Sequence, residues 1–217
     1  MIKSLTYVLA LCFAFGCARA RLERLAQAAQ PFDKEKVEAA LPVPVEPRTD
    51  FEITHRVELK TNYGTMVLAL YGKDAPDTVR NFVSYVKSGF YSGMVFHRVI
   101  PGFMIQGGGY NAEMEKPDTG DSIDLELIPG LEHKAGTISM ARTTEPSSAT
   151  SQFFICVADT VQLNGQYSAF GTVEEGIDVA EKISTVATHS VETDFAVMDD
   201  VPVTPVVIEE ARLLKLK

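Results

Sequence analysis

The sequence predicts a mainly β domain, a barrel or sandwich of short strands accompanied by two helices. Three observations carry that reading. From residue 51 onward, apolar runs a few residues long recur between turn-forming clusters, and they are too short for helices. Residues 57–60 and 66–71 flank Asn62-Tyr63-Gly64, whose composition suits a tight hairpin turn. Within residues 51–217 only two segments read as helices, and they stand far apart. Periodicity alone does not choose between a barrel and a sandwich.

The elements follow in order. In residues 66–71, Met66, Leu68 and Leu70 alternate with Thr65, Val67 and Ala69, the pattern of a strand with one buried face. A helix begins at Pro76, which suits a first helical position, with Asp77 favoured by the positive end of the helix dipole. Val79, Phe82, Val83 and Val86 place one apolar stripe along it, and Gly89 stops it. Strands are expected at residues 95–99, 104–106, 137–141, 153–157 and 169–173, a second helix at 177–183 and a closing strand at 205–214. Gly107-Gly108-Gly109 reads as a turn where backbones approach closely.

The N-terminus differs in texture. A basic start, Met1-Ile2-Lys3, precedes an apolar run over residues 5–16. A membrane span needs about 20 apolar residues, so this run has the length of a signal segment instead. Two processing sites compete. Ala18-Arg19-Ala20 fits ordinary cleavage, whereas Ala14-Phe15-Gly16-Cys17 is similar to a lipobox, with Cys17 as the candidate lipid anchor. Ala14 and Phe15 depart from the usual lipobox residues, Arg19, Arg21 and Arg24 oppose export, and an uncleaved anchor is the third reading. Residues 18–50 read as a helical and proline-rich spacer: 18–40 suit one or two short helices or a partly disordered stretch, with Leu22, Leu25 and Ala29 near helical spacing, and 41–47 are proline-rich and extended. The expected organisation is a signal segment at 1–17, a spacer at 18–50 and one domain at 51–217, exported to the periplasm, with or without membrane anchorage.

Composition narrows the partners. Hydrophobic residues make up 46% and charged residues 23%, so an ordinary globular core is available. The net charge of -9 repels phosphate backbones and argues against nucleic acid. Cys156 is the only cysteine of the expected domain; it lies in an apolar run and reads as an inert buried thiol.

Searching for chemistry gives mostly exclusions. His55, His97, His133 and His189 form no metal-ligand spacing with each other or with cysteine. There is no Gly-x-Ser-x-Gly elbow and no phosphate-cradling loop ending in Lys-Ser or Lys-Thr. No metal and no cofactor is therefore expected. What stands out is FHRVIPGFMIQGG at residues 96–108, followed by SMAR at 139–142 and ATSQFFI at 149–155. Together these segments supply one cation (Arg98), large apolar side chains (Phe103, Met104, Phe154) and two amides (Gln106, Gln152). That set suits a groove for an apolar ring flanked by peptide groups.

Those three motifs, in that order and spacing, resemble the cyclophilin family of peptidyl-prolyl cis/trans isomerases. The resemblance extends to PDTVRNFVSYVKSGFY at 76–91 and LNGQYSAFGTVEEGIDV at 163–179, and covers residues 55–217. Arg142 and the closing DVPVTPVVIE resemble the bacterial branch. The resemblance implies an eight-stranded antiparallel barrel closed by two helices and a monomer that acts on proline-containing polypeptides. It implies Arg98 as the catalytic arginine, with Gln106 holding a substrate carbonyl. Phe103, Met104, Phe154 and Leu163 would wall the proline pocket. Ala141, Arg142 and Gln152 would line the groove ahead of the proline, Arg142 through its backbone. Two rim positions depart from the family pattern: Gln162 stands for a tryptophan and Tyr167 for a histidine. Without that tryptophan, weak cyclosporin binding is expected. His97 matches no catalytic role. Two other functions compete: a chaperone module that grips proline segments without turnover, and a structural lipoprotein docked through its N-terminal segment.

Overall fold

The computed structural model describes residues 46–193 and 197–216. The signal segment, Cys17 and the spacer as far as residue 45 lie outside the described residues.

Ten strands and two helices follow one another among the described residues. The first hairpin joins β1 (His55–Thr61) to β2 (Gly64–Leu70). Its two-residue turn is Asn62-Tyr63, with Thr61 paired to Gly64, and the Thr61 hydroxyl donates to the Gly64 carbonyl at 2.8 Å. Val57, Leu59, Met66, Leu68 and Leu70 all point into the core, as alternation requires. Next comes α1 (Pro76–Lys87), which buries Val79, Phe82, Val83 and Val86 and ends before Gly89 at φ 73°. No neighbouring side chain caps its start. Instead the distant Glu126 carboxylate accepts from the Asp77 amide (3.2 Å), the Thr78 amide (2.6 Å) and the Thr78 hydroxyl (2.6 Å). Orphan helix amides and a negative charge are thereby matched, and the long loop after residue 111 is tied to the helix.

The chain continues through β3 (Met94–Ile100), β4 (Met104–Asn111), β5 (Thr137–Met140), β6 (Phe153–Cys156), β7 (Ala169–Glu175) and α2 (Ile177–Ser184). Then come β8 (Thr188–Glu192), β9 (Val197–Pro202) and β10 (Ile208–Leu214). Eight strands form one antiparallel sheet in the order β10-β1-β2-β7-β5-β6-β4-β3. The sheet curls until its outer strands meet. Val95 bridges Val207, the Phe96 amide donates to the Val206 carbonyl at 2.9 Å, and the Gly93 amide donates to the Ile208 carbonyl at 2.8 Å. Contact along that seam is one bridge rather than a full ladder. Phe82 meets Tyr91, Phe153 and Phe170 at ring separations of 5.1, 5.4 and 5.3 Å inside the curl.

Two expectations change. The three glycines 107–109 lie within β4, not in a turn. Their close approach is real: a Cβ on Gly108 would sit 2.8 Å from the Ser151 carbonyl oxygen, and one on Gly109 would sit 2.5 Å from the Gln152 side chain. The β8–β9 ribbon has no counterpart in the sequence reading, because most of its residues are exposed and it carries no core-facing run.

His97 on β3 is 2% exposed, and its Nδ1 has no hydrogen-bond partner among the described residues. Its ring meets the Tyr110 ring nearly edge-on, 5.0 Å away. Burial depresses its pKa from 6.5 to about 4. The folded state thus requires the neutral ring, while the unfolded chain accepts a proton near pH 6.5. The contribution is complete above that value and declines as pH falls toward 4, by up to about 3 kcal/mol. Urea melts of wild type and His97→Gln between pH 7 and pH 4 test this. Wild type is expected to lose more stability across that window, and equal losses would show that His97 titrates normally.

Candidate active site

The outward face of three neighbouring strands builds the site. Across β3, β4 and β6, Arg98 is paired with Gln106 and Gln106 with Phe154. One step along, Ile100 is paired with Met104 and Met104 with Cys156. Strand side chains alternate faces. Ile105 and Ile155 therefore enter the main core, while Met104, Phe154 and Cys156 form a separate apolar cluster on the other face. Around that cluster pack Ile100, Phe103, Ala141, Leu163 and Tyr167. Phe103 comes from the turn between β3 and β4, and Leu163 from a single 3-10 turn, Val161–Leu163. Met104 and Phe154 form the floor, at 2% and 5% exposure.

Polar groups frame the depression. Gln106 Nε2 donates to Gln152 Oε1 at 2.9 Å. The bare Gly109 lets Gln152 lie across β4. The Ala141 amide donates to the Gln152 carbonyl at 2.9 Å, which draws β5 and β6 together beside the amide pair. Arg98 is 44% exposed at its side chain, and its Nε lies 3.6 Å from Asp200 Oδ2. Tyr167 meets Phe154 edge-on at 5.5 Å, and the Arg142 guanidinium lies 5.0 Å from the centre of the Tyr167 ring. Arg142 also donates to the carbonyls of Gln166 (2.9 Å) and Thr143 (2.8 Å). Its side chain braces the rim instead of crossing the groove. The ten site residues named from the domain sequence thus fall into one apolar cluster, an amide pair, one cation and one bracing arginine.

Sequence reasoning missed what stands beneath the floor. The His133 ring stacks against Phe154 at 6.1 Å with an interplanar angle of 15°. Asn164 Oδ1 accepts from the His133 amide at 2.8 Å and faces His133 Nδ1 at 3.0 Å. An amide oxygen only accepts, so Nδ1 carries the proton, and Nε2 accepts from the Ser139 hydroxyl at 3.0 Å. Burial lowers the His133 pKa, which keeps the ring neutral in this arrangement. Asn164 directly follows Leu163, and the Thr160 amide donates to the His133 carbonyl at 2.7 Å. His133 therefore fixes both the floor and the Leu163 wall. A lone histidine outside the motifs carried no signal of this. Cys156 is fully buried, with Sγ 3.2 Å from the Thr160 hydroxyl, and burial pushes its pKa up to about 11. It is no nucleophile at neutral pH. A second recess of about 350 Å³, lined by Leu127, Leu131, His133, Asn164 and Tyr167 among others, opens behind the rim.

The sequence profile described as cyclophilin type peptidyl-prolyl cis-trans isomerase/CLD matches residues 56–213. The chain belongs to the cyclophilin-type peptidyl-prolyl isomerase family. Peptidyl-prolyl cis-trans isomerase A of Dickeya dadantii is 50% identical over 167 residues, covering 75% of this chain and 85% of that protein. Peptidyl-prolyl cis-trans isomerase B of Escherichia coli is 44% identical over 161 residues, covering 70% of this chain and 96% of that protein. A cyclophilin from Cryptosporidium parvum, crystallised in the presence of the dipeptide Ala-Pro, superimposes with a TM-score of 0.63 at 27% identity, covering 74% of this chain and 99% of that one. This cyclophilin is an enzyme, a peptidyl-prolyl cis-trans isomerase.

Removing the His133 ring leaves Phe154 unsupported and the Ser139 hydroxyl buried without its partner. His133→Ala is expected to lose about 2 kcal/mol of stability and to raise KM for proline peptides more than it lowers kcat. Thermal melts and steady-state kinetics check both, and unchanged KM in a folded variant would separate His133 from the pocket.

Proposed function

We propose that this isomerase turns X-Pro bonds by seating the proline ring on Met104 and Phe154, between Phe103 and Leu163, with Arg98 acting on the twisting amide. The observation that carries the reading is the register just described. A dry apolar floor, a positioning amide and an exposed cation share one face of three adjacent strands.

The physical argument starts from the substrate. Rotation about an X-Pro bond faces a barrier of ~18–20 kcal/mol, mostly lost amide resonance. As the bond twists, the proline nitrogen becomes pyramidal and recovers a lone pair. A guanidinium beside that nitrogen bonds the twisted form better than the planar one, which is differential binding of the transition state. One hydrogen bond to a charged group contributes about 1.5–3 kcal/mol, and tenfold in rate requires about 1.4 kcal/mol. Arg98 alone thus supports roughly 10- to 100-fold. The remainder comes from holding the ring while Gln106, kept in place by Gln152, receives the carbonyl side. Ala141 and the Arg142 backbone line the approach for residues before the proline. The substrates are proline-containing polypeptides; the Ala-Pro dipeptide of the Cryptosporidium crystals is a minimal member of that class.

Location belongs to the same proposal. The signal-like residues 1–17 support export to the periplasm as part of a bacterial exported branch, and Cys17 is the residue a lipid would occupy. Residues 18–50 would then space the domain from the membrane. Mass spectrometry of the mature N-terminus tests this. Cleavage after Ala20 or a lipid on Cys17 supports export, an intact Met1 on membrane-bound protein supports the uncleaved anchor, and an intact Met1 on protein in the cytoplasmic fraction overturns export.

Arg98→Ala is expected to lower kcat/KM by about 10- to 100-fold in a proline-peptide isomerisation assay, with peptide affinity changed less than about threefold. Undiminished turnover would overturn the role of Arg98. A wild type that binds peptide without accelerating isomerisation would leave only the chaperone-module reading.

A further inference from the structure

The β8–β9 ribbon takes no part in the eight-stranded sheet, yet it delivers a carboxylate to the site. Asp200 Oδ2 lies 3.6 Å from Arg98 Nε, and this is the one ion pair of Arg98 among the described residues. The ribbon is held firmly at that point. Val201 and Pro202, which directly follow, are buried and paired across the ribbon with His189 and Thr188. Asp200 itself adopts φ 64°, one of two non-glycine residues in the left-handed region among the described residues. Aspartate and asparagine tolerate that region better than most side chains. The β8–β9 register shifts between His189 and Val191, and Asp200 stands in that bulge, a feature that re-aims side chains.

We propose that Asp200 is a positioning residue for Arg98, a proposal that rests on the catalytic reading of that arginine. Arg98 is an exposed side chain on a strand, and among the described residues its guanidinium has no ion pair besides Asp200. Asp200 lies by Nε, the inner nitrogen of the guanidinium. The two terminal nitrogens remain available to a substrate. At 3.6 Å the pair exceeds ordinary hydrogen-bond length. Both partners are about two-fifths exposed, at 44% and 38%. Such a contact is weak in water. It narrows the orientations of the arginine without locking it away from the proline nitrogen. Asp200 touches no reacting atom, so its effect falls on kcat and not on peptide binding.

The experiment is steady-state isomerisation by wild type, Asp200→Ala, Asp200→Asn, Arg98→Ala and the Arg98→Ala/Asp200→Ala double variant, at low and high salt. Asp200→Ala is expected to lower kcat about threefold with KM within about twofold of wild type. Asp200→Asn, which keeps an oxygen near Nε and suits the left-handed backbone, is expected to recover at least about half the loss. Added salt is expected to bring wild type toward Asp200→Ala and to leave that variant level. With Arg98 gone, removing Asp200 is expected to change nothing further. Wild-type kcat in a folded Asp200→Ala, or the same fractional loss in the Arg98→Ala background, would overturn the positioning role while leaving Arg98 catalytic. Undiminished Arg98→Ala would instead remove the reading on which it rests.

Discussion

The candidate site of this isomerase depends on the register of β3, β4 and β6. A strand offers alternate side chains to opposite faces, so a one-residue slip in β4 would exchange Met104 and Gln106 for Ile105. Two constraints hold the register. Ile105 and Ile155 are fully buried on the core face, where Phe82, Phe96 and Phe153 pack. Behind the glycines of β4, the Tyr91 hydroxyl donates to the Ser151 carbonyl and the Ser151 hydroxyl to the Gly108 carbonyl, both at 2.8 Å. The core is thus the reason the opposite face presents a floor, an amide and a cation in a fixed pattern.

That pattern divides labour between rigid and adjustable parts. The floor of Met104 and Phe154 is buried, stacked on His133 and braced by Tyr167. It suits a substrate group that keeps its shape, the proline ring. Arg98 is half-exposed, with the Asp200 carboxylate as its one ion pair among the described residues. It suits a group whose geometry changes during the reaction. No proton need be gained or lost by the protein, in keeping with a neutral His133 and a thiol on Cys156 that stays protonated.

Much of the fold was legible in the sequence because β2 alternates, β3, β5 and β6 are short apolar runs, and α1 carries an unbroken apolar stripe. The site motifs were legible because their residue types are dense and ordered. Other features depend on contacts between distant residues. Glu126 capping α1 leaves no local trace. The glycines 107–109 read as a turn because small residues usually punctuate chains, whereas here they let side chains of neighbouring strands press against β4. His133 looked like any single histidine, and Asp200 like one more charge on a polar ribbon. Their places, under Phe154 and beside Arg98, come from contacts between elements distant in the chain.

The most direct test of the account is a crystal structure of the described domain with a bound proline peptide. The account predicts the proline ring on Met104 and Phe154, Gln106 bonded to the carbonyl side, and an Arg98 terminal nitrogen facing the proline nitrogen. A proline seated in the recess lined by Leu127, Leu131 and Asn164, with Arg98 turned away, would contradict it.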